Sequence, residues 1–202
     1  MAELTGPHRD PLIEATVAEF ATAGYDGASL NRIIRAAGMS KSSFYHAVSS
    51  KAELFDAVVE ALIADVRSRW SPPSPADFAG DAFWVQVDRV LGDLAALGAE
   101  ERALAMLGSI FYLPATVRSD TRSALLGAVR EWVAEVLRVG VASGAVRSDL
   151  PVEVLVAAAF GMLQGLDEWA LGAAASSGGT AVQLASVAAS APAVLLRGML
   201  AT

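Results

Sequence analysis

Apolar residues recur along this chain at helical spacing almost throughout, and no segment shows the alternation of a half-buried strand. The pattern predicts an all-α protein. Asp10 and Pro11 read as an N-cap and first-turn proline, Ile13, Val17, Phe20 and Ala21 form one face, and Gly24 is the stop. Ser29 is the expected cap of a short second helix carrying Leu30, Ile33, Ile34 and Ala37, which Gly38 ends. Ser40 caps a third, with Met39 and Phe44 placed as a hydrophobic staple, and Ser50 with Glu53 forms a capping box for a long fourth helix reaching about Trp70. The run SPPSP over 71–75 cannot continue a helix, and Ser74 with Pro75 is expected to start the next one. Further helices are predicted at 100–112, 116–142, 151–173 and 180–200, with Pro192 kinking or dividing the last.

The turn over 37–40, between two short helices, has the length and the glycine of a helix-turn-helix. On a helical wheel Phe44, Ala47 and Val48 face inward, while Lys41, Ser42, Tyr45 and His46 face out. Donors, a cation and an aromatic ring on one face suit phosphate oxygens and base edges in a major groove.

Charge sharpens this picture. The chain of 202 residues carries a net charge of −7, yet 27–52 holds Arg32, Arg35, Lys41 and Lys51 and no acidic residue. Both lysines stand at first helical positions, where a cation opposes the helix dipole by about 0.3–1 kcal/mol. Bound phosphate would relieve that cost, because free N–H groups at a helix start already favour anions.

The stretch 12–54, with FATAGY at 20–25, SLNRIIRAAGMSKSSFYHAV at 29–48 and SKAEL at 50–54, closely resembles the DNA-binding domain of the tetracycline-repressor (TetR) family of bacterial regulators. The resemblance implies a DNA-binding domain over 1–50, joined by the fourth helix to a C-terminal helical ligand-binding and dimerisation domain over 51–202. It further implies a homodimeric repressor that binds a palindromic double-stranded operator and is released by a small molecule; a cytoplasmic location is expected from the absence of cysteine. Family DNA contacts carry over to Ser29, Ser40, Lys41, Ser42, Ser43, Tyr45, His46 and Lys51, with Gly38 as the turn glycine. The family often has His then Phe where this chain has Ala47 and Val48, so its operator preference does not transfer.

Beyond residue 70 the resemblance covers architecture only. The 13-residue stretch 154–166 is apolar around its circumference, too short to span a bilayer and in need of burial on two sides. Its small-residue stripe Ala157, Gly161 and Gly165, together with Val187 and Leu195 on the last helix, is the expected dimer interface. A monomeric bundle is the alternative. Candidate effector-lining residues are Trp84, Met106, Phe111, Tyr112, Trp132, Phe160, Met162 and Gln164, any of which could equally be plain core. Residues 52–202 lack lysine and histidine, which favours a neutral or cationic hydrophobic effector over an anionic one.

An enzyme is not expected. Cysteine is absent, the two histidines both lie in the first 46 residues, and there is no GxSxG, P-loop or GxGxxG pattern; no metal or cofactor is implied. A regulator controlled by a protein partner, or by no effector, remains the alternative function.

Overall fold

The computed structural model describes residues 4, 6–100, 102–111, 119–176 and 181–202. These form nine helices and no strand: α1 (Arg9–Gly27), α2 (Leu30–Ala36), α3 (Lys41–Ala47), α4 (Lys51–Arg69), α5 (Phe83–Glu100), α6 (Arg102–Phe111), α7 (Asp120–Ala142), α8 (Val152–Ser176) and α9 (Ala181–Leu200). The protein is all-α, as the periodicity predicts. Two compact units are present, Met1–Ser71 with Leu97–Leu126, and Pro72–Ala96 with Gly127–Thr202; the segment 1–50 lies within the first.

In the first unit, Leu12, Ile13 and Phe20 of α1, Ile33 and Ile34 of α2, Phe44 of α3, and Leu54, Phe55, Val58 and Leu62 of α4 make one buried cluster. Helix α6 packs on α1 and α4 and adds Leu107 to that core. Burying a side chain of this size stabilises by roughly 1.5–3 kcal/mol each, which is what holds the two seven-residue helices α2 and α3 in place.

Local chemistry sets most boundaries of this unit. Helix α1 begins one residue before the predicted cap: His8 occupies the cap position without a side-chain bond, and Asp10 sits in the first turn, bonded to Arg9 Nη1 at 2.8 Å. Pro11 still fits, because N–H groups of the first turn have no helical acceptor. Gly24 (φ 68°, ψ 171°) interrupts α1 where the stop is predicted, and a last helical turn follows to Gly27. At the end of α2, Gly38 (φ 65°) lets its own N–H reach Arg35 O and that of Met39 reach Ile34 O, at 3.2 and 3.0 Å. This pair of bonds is a Schellman closure, and it needs the left-handed residue that glycine supplies.

The second unit departs more from expectation. After α4 the chain makes no new α-helix at Ser74; it forms a 3-10 turn over Pro75–Phe78, with Ser74 and Asp77 as a reciprocal capping box, and a second over Gly80–Ala82. Left-handed Gly80 (φ 61°) opens the second of these turns, and the α-helix begins only at Phe83. Phe78 and Phe83 are buried, and Phe78 meets the Trp132 ring edge-on at 5.7 Å. Helices α8 and α9 pack against each other, and α9 runs undivided through Pro192. A proline inside a helix removes one backbone bond, a loss that burial of neighbouring residues such as Leu196 offsets.

Candidate nucleic-acid interface

Helix α3 owes its position to two buried anchors. Phe44 and Val48 are 0% and 1% exposed, and they pin the helix to the core of the first unit. The Ser40 hydroxyl accepts the Ser43 N–H at 3.0 Å, so the predicted cap is formed and the other side of the helix is left free. Lys41, Ser42, Ser43, Tyr45 and His46 are all exposed, Tyr45 by 51%. Ala47, predicted inward, is exposed instead. The reason is that α3 ends there: Val48 adopts an extended cap (φ −142°, ψ 126°), and it reaches the core from outside the helical wheel.

The other predicted contact residues surround this face in sequence. Ser29 stands at the cap position of α2 but makes no side-chain cap bond; its N–H donates to Glu19 Oε1 at 2.8 Å, leaving the hydroxyl unspent by the helix. Gly38 forms the turn. Ser50 accepts the Glu53 N–H at 3.1 Å, while the Glu53 carboxylate reaches the Ser49 N–H at 2.8 Å, so the predicted box closes one residue early.

Of the four basic side chains in 27–52, two are engaged within the fold. Arg32 Nε donates to Glu19 Oε1 at 2.8 Å, and its guanidinium also bonds the Gly27 carbonyl at 2.9 Å. Lys51 is bonded to the backbone of the segment before α2. Among the described residues, Arg35 and Lys41 form no ion pair, and both are exposed.

Glu19 joins α1 to α2 by accepting from both Arg32 and the Ser29 N–H, neither of which sequence spacing reveals. Arg32 first, and the Ser29 N–H second, hold its carboxyl below the usual glutamate range. A lowered folded value means that this support is fully present above the ordinary glutamate pKa of about 4.3 and is lost as pH falls through the folded value. Acid titration of the wild type is therefore expected to show a loss of stability beginning below about pH 4.3, which Glu19→Gln makes shallower. Equal acid sensitivity of the two proteins in urea melts at graded pH would contradict this assignment.

The expected effector-lining residues fall in both units. Met106 packs against the core of the first unit. In the second unit, the Trp84 indole donates to Ala145 O at 3.2 Å beneath the Arg197 guanidinium, and the Trp132 indole donates to Pro73 O at 2.8 Å. Phe160 lies under Arg130 at 4.8 Å, Met162 is half-buried and Gln164 is exposed. Tyr112 lies outside the described residues, as do the side chains of Phe111 and Val187. An open cleft of about 400 Å³ runs between the α7 residues Gly127, Arg130, Ala134 and Arg138 and the first turn of α8.

On α8, Leu155, Val156 and Ala159 are buried while Val154, Ala157, Gly161 and Gly165 are exposed, and on α9 Val194 and Leu195 are exposed by 68% and 45%. One face of this helix pair thus packs in its own unit, and an apolar face is left open. Among the described residues no helix is long and apolar enough to cross a membrane, and no group of acidic or histidine side chains is arranged to hold a metal ion.

Residues 12–58, which contain the two short helices and their turn, match the family model for bacterial regulatory proteins of the tetR family. No curated protein matches the chain. Solved structures share the architecture over nearly the full length. A TetR family transcriptional regulator from Chloroflexus aurantiacus J-10-FL is similar at TM-score 0.68 and 17% identity, covering 96% of this chain and 94% of its own. A TetR family regulator from Agrobacterium tumefaciens gives 0.62 and 18%, covering 96% and 98%. SmeT, the repressor of the Stenotrophomonas maltophilia multidrug efflux pump SmeDEF, gives 0.64 and 13%, covering 98% and 92%. At such identities these structures establish the all-helical fold, while the motif-bearing segment 12–58 is the part of the chain that matches the family model for bacterial regulatory proteins of the tetR family.

Proposed function

We propose that the protein is a homodimeric, cytoplasmic repressor that binds a palindromic operator and is released by a small hydrophobic effector. The observation that carries the DNA reading is the outer face of α3, where Lys41, Ser42, Tyr45 and His46 are exposed and their polar atoms have no protein partner among the described residues. Helix α3 enters the major groove, Ser40 and Ser43 support its first turn against phosphate, and Ser29 meets the flanking backbone at the start of α2. The open face of α8 and α9, with Ala157, Gly161, Gly165 and Leu195, supports a four-helix dimer seam in which small residues allow close approach. Two copies of α3 related by a two-fold axis then read half-sites about 34–36 Å apart.

The test is fluorescence anisotropy of the purified chain against a labelled pool of the DNA flanking its own gene, over a range of salt. Each phosphate neutralised contributes about −0.9 to the slope of log K against log salt. With Arg35 and Lys41 as the uncommitted cations of each protomer, a dimer is expected to give a slope near −3.6. Saturable binding with a slope near zero would argue against the interface.

A thermal-shift screen tests the effector. A ligand at a hundred times its Kd stabilises by about 2.7 kcal/mol, which raises Tm by roughly 5–11 °C for a chain of this size. Neutral or cationic hydrophobes are expected to give the larger shifts, since residues 52–202 contain no lysine or histidine. A consistent preference for carboxylates would overturn that expectation, and a flat screen would favour control by a protein partner or by no effector.

A further inference from the structure

Lys51 lies at the first position of α4, where its charge opposes the helix dipole, and its ammonium is turned away from that helix. Nζ donates to the carbonyls of Tyr25, Asp26 and Ala28 at 2.7, 3.0 and 3.2 Å, and it stands 5.0 Å from the centroid of the Tyr25 ring. An ammonium has three N–H donors, and three acceptors use them all. The carbonyls belong to the final turn of α1, after the interruption at Gly24, and to the residue just before Ser29; such carbonyls lack helical donors and carry the negative end of the α1 dipole. The unfavourable placement at the start of α4 is thus offset at the end of α1. Tyr25 is itself fixed, stacked on Phe20 at 5.5 Å and edge-on to Phe55 of α4 at 5.6 Å.

From this geometry we infer that Lys51 is a positioning residue for DNA binding and not a phosphate contact: it clamps the segment leading into α2 onto the start of α4, and so fixes the angle at which the helix-turn-helix is held. The inference rests on the DNA reading above. The acceptors lie 23 to 26 residues upstream, and one point charge serves three convergent carbonyls, a task for which the planar, divergent fork of arginine is unsuited. A phosphate contact has the opposite requirement, since arginine serves phosphate at least as well as lysine.

The experiment compares wild type, Lys51→Met, Lys51→Arg and Lys41→Met as full-length chains, by Tm and by anisotropy against the same labelled flanking DNA across a salt series. The expected result is that Lys51→Met and Lys51→Arg each lower Tm and weaken binding about tenfold or more at every salt, with the slope within about 0.5 of wild type, whereas Lys41→Met flattens the slope by about 1.8 for a dimer. Full affinity in Lys51→Arg, with a slope flattened in Lys51→Met, would make Lys51 a phosphate contact and overturn the inference. A lower Tm with unchanged affinity would make it merely structural and overturn it as well. If Lys51→Met does not fold, Lys51→Arg decides by the same criteria. Wild type that binds none of the DNA would remove the underlying DNA reading before any variant is compared, and an unchanged Tm in Lys51→Met would remove the clamp itself.

Discussion

Replacing Lys41 and Tyr45 together by alanine is expected to weaken operator binding by at least about 100-fold while leaving helix content and Tm close to wild type. The magnitude follows from contact arithmetic: a good base or phosphate contact is worth about 1–3 kcal/mol, each is made twice in a symmetric dimer, and every 1.4 kcal/mol is tenfold. The fold should tolerate the change because neither side chain belongs to the core. Tyr45 is 51% exposed and touches the protein through an edge contact with Phe44 at 5.2 Å between centroids. Losing that contact costs roughly 0.5–1.5 kcal/mol, and removing a cation from the first turn of α3 returns about 0.3–1 kcal/mol. Circular dichroism and a thermal melt establish that the variant is folded, and anisotropy reads the affinity. Binding unchanged from wild type would mean that α3 is not the helix that reads DNA.

The second large effect is expected in the other unit, where no sequence motif points. Gly140 lies in α7, and a Cβ built on it would fall inside van der Waals contact with the Phe83 ring and 2.6 Å from Val146 Cγ2. Both neighbours are 1% exposed, so neither has space to move into. Helix propensity alone would favour alanine here by about 1 kcal/mol and valine by less, but overpacking a closed core costs about 1–3 kcal/mol or more, and a β-branched residue meets both walls at once. Gly140→Val is expected to destabilise by about 3 kcal/mol, lowering Tm by roughly 6–12 °C. Gly127→Ala, on the same helix with nothing within 4 Å of its built Cβ, is the control and is expected to raise stability slightly. Equal melting points for the Gly140 variant and wild type would show that α5 and the turn after α7 do not close on this glycine.

These two expectations differ in how far the sequence anticipates them. The exposed face of α3 follows from helical spacing, a serine cap and a turn glycine, all interactions among residues at most five apart, and the structure forms the Ser40 cap and the Gly38 closure where spacing puts them. Gly140 gives no such signal, because what excludes a side chain is Phe83, 57 positions upstream, together with Val146. The same divide applies to the indoles of Trp84 and Trp132, whose backbone partners no spacing reveals. As large aromatics at helical spacing they read as pocket lining, and their indole N–H groups donate to the carbonyls of Ala145 and Pro73.

By itself the sequence determined the helical class, the helix-turn-helix, its outward chemistry and the family resemblance of the segment that carries it, since each rests on periodicity, capping or a contiguous motif. Only the tertiary structure decided which cations remain free to meet DNA. Arg32 is engaged by Glu19 and Lys51 by three carbonyls 23 to 26 residues away, so a count of charge along the chain could not separate them from Arg35 and Lys41. Charge is a property of residues one at a time, but its availability depends on which distant backbone and carboxylate groups the fold brings within hydrogen-bonding distance.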